Sequence, residues 1–236
     1  MNLLSIIIPV YNEEGSIGSL IQKLKKLDLS ISNFRKEIII VNDGSTDRSA
    51  SIIESFDEIV IKNQDNQGKG SAVQNGIESA NGNYILIQDG DLEYNPDDII
   101  KMCNQLGSSE NMSIYGSRYK PFYLGLFPKF YNKQNISSYL ANIVFIFLFL
   151  IFYTRIVTDP LTGYKLYSKN FFKNNTIKSK GFEADHEITA KLIKQGFKII
   201  EVPIGYKPRN KLEGKKINFF DGIKALITII KYRFTN

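Results

Sequence analysis

The chain alternates short, nearly unbroken apolar runs with longer stretches in which apolar residues recur every three or four positions. Leu3–Val10 and Glu37–Val41 are runs of the first kind and predict buried strands. Between them Ile17, Leu20, Ile21 and Leu24 share one helical face and predict a helix over Glu14–Leu27. The alternation continues with a helix from Asp47 to Phe56, a strand at Ile59–Lys62, a helix over Ser71–Ala80 and a strand at Tyr84–Gln88. A helix over Asp97–Leu106 and a strand at Met112–Gly116 follow. Strands apolar on both faces, separated by amphipathic helices, predict an α/β fold with a mostly parallel central sheet flanked by helices. Ligands of such sheets lie beyond the carboxyl ends of the strands. Residues 119–135 are rich in aromatics, contain Pro121 and Pro128 and have no period, which predicts a long loop over the site. A strongly apolar stretch over Ile136–Val157, a helix at Glu187–Gln195, a strand at Lys198–Val202 and an amphipathic helix from Asn218 complete the pattern.

Length and charge narrow this picture. The 236 residues, 43% apolar, suffice for one core, so a single domain over 1–236 is expected, divided into halves 1–118 and 119–236. The single cysteine, Cys103, forms no internal disulfide and no His/Cys cluster has zinc spacing, which favours a reducing compartment. The first apolar run stops at Val10 with no basic stretch before it, so no signal peptide is expected. From Lys207 onward eight basic residues face two acidic ones, and this accounts for the whole net charge of +6. An anionic partner is therefore expected at the C-terminal end, whether phosphate groups, anionic lipid or nucleic acid.

The candidate chemistry follows strands. Asp89-Gly90-Asp91 comes directly after Tyr84–Gln88, with Glu93 two residues on, and three crowded carboxylates call for a hard divalent cation such as Mg²⁺ or Mn²⁺. Asp43 follows a second strand in a Gly-Ser turn, and Pro9-Val10-Tyr11-Asn12-Glu13 ends the first. Three neighbouring strand ends would bring Tyr11, Glu13, Asp43, Asp89 and Asp91 to one crevice. For each residue alone the bland readings are a solvated acidic turn or a helix-entry residue. Lys69 in Gln67-Gly68-Lys69-Gly70 is placed to approach phosphate, although the spacing is not that of a P-loop.

These segments carry a resemblance. Ile6 through Glu14, Glu37 through Asp47, Asn66 through Gly76 and Asp89-Gly90-Asp91 resemble the nucleotide-sugar half of glycosyltransferase family 2, which has the GT-A fold. Tyr115 through Tyr119, Thr162 through Tyr167 and Glu201 through Ile204 resemble its dolichyl-phosphate mannose and glucose synthase branch. The resemblance implies that Asp89 and Asp91, with Glu93 as a third ligand, hold a metal. It implies that Pro9, Tyr11, Glu13, Asp43 and Asp89 hold the nucleotide and that Arg118, Arg209 and Lys215 bind phosphates. Asn42 departs from the family, whose members often have an aspartate there, and this leaves the choice between UDP and GDP donors open.

The implied reaction is inverting, metal-dependent transfer of a hexose from a UDP- or GDP-sugar to a polyprenyl (dolichyl- or undecaprenyl-type) phosphate, with Asp91 and Arg118 at the reacting centre. A phosphate nucleophile needs no general base. A lipid or saccharide hydroxyl, the alternative acceptor, needs one, and Asp185 and Glu187 are the candidates. His186 between them reads as a local polar residue. A catalytically silent nucleotide- or membrane-binding module is the non-enzyme alternative. Nucleic acid is not the expected partner, because the basic tail follows an amphipathic helix pattern with Phe219, Phe220, Ile223, Leu226, Ile227 and Ile230 on one face. Ile143–Tyr153 is 11 residues of apolar character, shorter than the roughly 17–25 residues of a spanning helix, so it reads as an interfacial helix, with a buried core helix as the alternative. The expected location is cytoplasmic and peripheral, on the inner face of the cell membrane, and a separate membrane partner protein is a further candidate partner.

Overall fold

The computed structural model describes residues 1–57, 59–107, 111–120, 136–209 and 219–235. Its strands are β1 (Asn2–Val10), β2 (Phe34–Asp43), β3 (Val60–Gln64), β4 (Tyr84–Ile87), β5 (Met112–Ser117), β6 (Lys165–Ser168) and β7 (Lys198–Pro203). They form one sheet in the order β3-β2-β1-β4-β6-β5-β7. β1 pairs in parallel with β2 and β4, β2 with β3, and β5 with β7. β6 runs antiparallel between β4 and β5. The mostly parallel α/β sheet expected from the sequence is therefore present, with one reversed strand inserted into it.

Alternate residues of β1 serve opposite faces, as the two-residue period of a strand requires. Leu4, Ile6, Ile8 and Val10 pack with Ile17, Leu20, Ile21 and Leu24 of α1 (Ile17–Lys26) in one core cluster. Ile7, with Ile39, Val41 and Ile85, packs against Ala72 of α3 (Lys69–Ser79) on the other face. The short helices α2 (Ser49–Glu54) and α4 (Asp98–Cys103) complete the first half, and Cys103 is a buried free thiol.

Among the described residues the second half has the helices α5 (Ile136–Tyr153), α6 (Lys169–Lys173), α7 (Ala184–Lys194) and α8 (Phe219–Phe234). Phe145, Phe149 and Tyr153 of α5 are buried with Ala190 of α7 and Ala225, Ile229 and Tyr232 of α8. The Tyr153 hydroxyl donates to the Ile229 carbonyl at 2.8 Å. The opposite side of α5 carries Leu140, Val144, Phe147 and Ile151, all exposed. These follow a spacing of three to four residues, so α5 is apolar all round but buried on one side only. Among the described residues no helix is long and apolar enough to cross a membrane.

Candidate active site

The strand ends of β1, β2 and β4 do converge. Gln88 donates its backbone N–H to Ile7 O at 2.9 Å, keeping the exit of β4 beside β1. The chain then turns through Asp89-Gly90-Asp91, with Leu92 in the left-handed region at φ 59°. Asn12, just after β1, is left-handed too, at φ 51°. Such backbone is costly for a side chain larger than glycine and persists where the surroundings fix it. Here they do. Asn12 Oδ1 accepts from Thr46 N at 2.7 Å, and Glu13 N donates to Ser49 Oγ at 2.8 Å, latching the β1 turn to the turn after β2.

Arg209 closes one side of the carboxylate cluster. Its Nη1 and Nη2 donate to Glu13 Oε2 and Oε1 at 2.8 and 3.3 Å, and Nη2 also reaches Asp91 Oδ2 at 3.0 Å. Glu93 accepts from the Arg209 backbone N–H and from the Tyr206 hydroxyl, both at 2.7 Å. On the other side Lys69 Nζ lies 2.7 Å from Asp89 Oδ1 and 3.5 Å from Asp185 Oδ2. Burial, followed by the like charges of Asp89 and Glu93, pushes the Asp91 carboxyl up to about 7. The cluster thus carries more negative charge than its protein cations offset, and its donors are all oxygen, which fits a hard divalent cation. Among the described residues no three carboxylate, His or Cys side chains converge as a ligand set, so the expected trio of Asp89, Asp91 and Glu93 does not close on one point.

Asp43 sits at the expected strand end, but its carboxylate already accepts from Gln64 Nε2, Gln67 N and Gly68 N at 2.6, 2.8 and 2.9 Å. It fixes the turn that delivers Lys69. Pro9 pairs with Val41 within the sheet, and Tyr11 is exposed at the rim of the crevice. Arg118 is largely buried, its Nε and Nη2 paired bidentately with Asp159 at 2.8 and 2.7 Å, and its guanidinium lies 4.9 Å from the Tyr206 ring. Lys215 lies outside the described residues, as does most of the expected loop over 119–135.

The two candidate bases differ in surroundings. Glu187 is fully buried and accepts from Lys178 N, Ser179 N and Lys191 Nζ at 2.9, 2.7 and 2.6 Å. Burial works to raise its carboxyl, but these donors, Lys191 foremost, more than offset it and leave it below the usual glutamate range. The structure therefore does not bring Glu187 into the crevice. Asp185 does face it, between Lys69 and Lys165. Burial acts to raise this carboxyl as well, and Lys69 and then Lys165 hold it below the usual range. His186 is buried, stacks on Phe145 at 5.0 Å, and is held neutral by that burial, its pKa lowered to about 3.

Sequence reasoning left out Asp159, Gly163 and Tyr94. A Cβ on Gly163 would stand 2.4 Å from Asp89 Oδ2 and 3.3 Å from Lys69 Nζ, so only glycine lets this pair meet. Tyr94 stacks on Tyr164 at 5.0 Å and accepts from Gly163 N at 3.0 Å, holding the glycine in place. The Thr162-Gly163-Tyr164 motif was the signal for Gly163; no sequence signal marked Asp159 or Tyr94.

A parallel-biased sheet with an acidic turn at the end of β4 defines a class, the GT-A nucleotide-diphospho-sugar transferase fold. Glucosyl-3-phosphoglycerate synthase from Mycobacterium tuberculosis, solved with UDP, superposes with a TM-score of 0.72 at 15% identity over 98% of this chain and 80% of its own. The same enzyme with Mn²⁺, UDP and glucosyl-3-phosphoglycerate gives 0.70 at 17% identity. The Glycosyl transferase family 2 model matches residues 5–175, and the chain belongs to that family. An uncharacterized protein of Methanocaldococcus jannaschii is 30% identical over 83% of this chain and 84% of its own length. Dolichol-phosphate mannosyltransferase of Pyrococcus furiosus is 29% identical over 97% of this chain and 64% of its own. A UDP-N-acetylglucosamine–dolichyl-phosphate N-acetylglucosaminyltransferase of Methanococcus voltae is 27% identical over 86% and 84%. The chain spans less than two thirds of the length of several such relatives.

Proposed function

We propose that this chain transfers a hexose from a UDP- or GDP-sugar to a polyprenyl phosphate, with inversion, at the cytoplasmic face of a membrane. The observation that carries the reading is the state of the two candidate bases beside the strand-end carboxylate cluster. Glu187 is enclosed by three donors, and Asp185 is ion-paired with two lysines. Neither is a free proton acceptor, so the site suits a nucleophile that ionises by itself, as a phosphate monoester does near pH 6. Transfer to a hydroxyl is the weaker reading for the same reason.

Asp89 and Asp91 would hold Mg²⁺ or Mn²⁺ together with donor phosphate oxygens, with Glu93 behind them. Bound there, the cation neutralises charge on the departing nucleoside diphosphate. The remaining work falls to the chain. Tyr11, Pro9, Glu13 and the turn fixed by Asp43 border the nucleotide, while Lys69, Arg209, Arg118 and Lys215 supply positive charge for donor and acceptor phosphates. Asp159 and Tyr206 fix the orientation of Arg118. Besides the apolar side of α5, α8 exposes Phe220, Ile223 and Ile227 near Lys224 and Lys231 in sequence, and these surfaces would rest on anionic lipid.

The test is a screen of UDP- and GDP-hexoses with a short-chain polyprenyl phosphate and Mn²⁺ or Mg²⁺, scored by the mass and anomeric configuration of the lipid product. One donor class is expected to yield an inverted glycosyl phospholipid, and Asp91→Asn to slow transfer on the order of 10³-fold. Retained configuration, or transfer to a lipid alcohol and not to the phosphate, overturns the reading.

A further inference from the structure

β6 buries a lysine at its first position, opposite Ile87, the last residue of β4. Lys165 is fully buried, and among the described residues its ammonium has only long contacts: Pro160 O at 3.4 Å, Asp185 O and Thr189 Oγ1 at 3.5 Å, and the Tyr115 ring centroid at 4.9 Å. Desolvation depresses its pKa. A buried charge with no short hydrogen bond is costly, and an apolar side chain of similar length would fill the space without that cost. Packing therefore does not explain a lysine here.

Among the described residues the carboxylate within ion-pair reach of Lys165 is Asp185, at 4.0 Å. Asp159, the other buried acid nearby, is closed bidentately by Arg118. Asp185 also lies 3.5 Å from Lys69, and Lys69 lies 2.7 Å from Asp89. Lys165, Asp185, Lys69 and Asp89 thus alternate in sign from a fully buried ammonium to the turn after β4, with side-chain exposures of 0, 15, 14 and 23%. Each element contributes one member: β6, α7, α3 and the turn after β4.

We infer that Lys165 is a positioning residue that neutralises Asp185 from the core side, leaving the Lys69 ammonium available to Asp89 and to donor phosphate. Without Lys165, Lys69 is the remaining cation on Asp185 and is drawn away from the strand end. With a further cation on Asp89, Lys165 keeps Asp185 from drawing Lys69 away from the strand end. The inference rests on the transferase reading for its assay, and on the geometry alone for its content.

A double-mutant cycle tests it. Lys165→Met is expected to lower kcat/KM about 10- to 100-fold while the unfolding midpoint stays unchanged or rises, because a buried charge is removed. Asp185→Asn is expected to cost less than about tenfold, since a neutral amide leaves Lys69 free. The double variant is expected to match Asp185→Asn, so that removing the carboxylate relieves the lysine defect. Full activity in Lys165→Met, losses that multiply in the double variant, or a fall in stability that accounts for the lost activity would each overturn the inference. Should Lys165→Met fail to fold, Lys165→Gln replaces it in the cycle. A wild-type protein inactive with every donor counts against the transfer reading instead. The same cycle is then read on affinity for UDP and GDP with Mn²⁺.

Discussion

Asp89 and Asp91 are separated by one glycine, yet different parts of the molecule neutralise them. Asp91 faces Arg209, a long side chain from the irregular segment after β7 that also spans Glu13 and lies near Glu93. Asp89 faces Lys69, which is rooted at the start of α3 and backed by Asp185 and Lys165 from α7 and β6. The first cation is carried on a flexible stem and serves several carboxylates. The second belongs to a line of side chains anchored in regular elements. If the cluster takes a metal ion as proposed, the difference divides the work: the Asp91 side can exchange one cation for another, and the Asp89 side keeps its geometry.

The sharpest way to break this contrast is to remove the exchanging cation. Arg209→Met is expected to lower transfer on the order of 10²-fold if, as proposed, its guanidinium turns from Glu13 and Asp91 to the donor phosphates. The same change should tighten Mn²⁺ binding by the nucleotide-free protein about tenfold, since the guanidinium no longer competes for Glu13 and Asp91. Electron paramagnetic resonance of free Mn²⁺ measures this. Equal tightening in Lys69→Met would erase the distinction between the two sides.

The constant side has its own foundation. Glu187 ties α7 to the Lys178-Ser179 turn, and that turn touches α3, where a Cβ on Gly70 would stand 2.4 Å from Ser179 O. Glu187→Gln removes a buried charge that satisfies two backbone N–H groups and Lys191, and is expected to destabilise the fold by about 3 kcal/mol in chemical denaturation. Its folded carboxyl lies below the unfolded value, so the stabilisation is complete above the ordinary glutamate range and is lost as pH falls through the lowered folded value. Loss of activity beyond loss of fold would place Glu187 in the crevice after all.

The half of the molecule that carries the strand-end carboxylates was legible because its pattern is regular. Every strand from β1 to β5 and the convergence of Glu13, Asp89 and Asp91 follow from apolar periodicity and from turns at strand exits. β6 was not legible: four residues beginning with a lysine and ending with a serine carry no strand signal, and its antiparallel course depends on long-range pairing with β4 and β5. Partner choice was equally hidden. Asp43 and Glu187 have the composition of ligand residues, but nothing local reveals that backbone N–H groups already engage them.

The smallest effect probes the outer surface beside the constant side. Phe145 and Phe147 are two residues apart on α5, yet Phe145 is buried against His186 while Phe147 is 56% exposed. If the outward face meets lipid, Phe147→Ser with Ile151→Ser should weaken binding to anionic vesicles about tenfold or more, each lost side chain contributing roughly 1.5–3 kcal/mol when fully buried. Transfer to a water-soluble short-chain acceptor should stay within about twofold, because neither side chain touches the Lys165–Asp185–Lys69 line. Phe145→Ala should do the reverse, loosening α7 and lowering transfer in solution while vesicle binding by the folded protein persists. Unchanged vesicle binding in the double serine variant would separate membrane attachment from the outward face of α5.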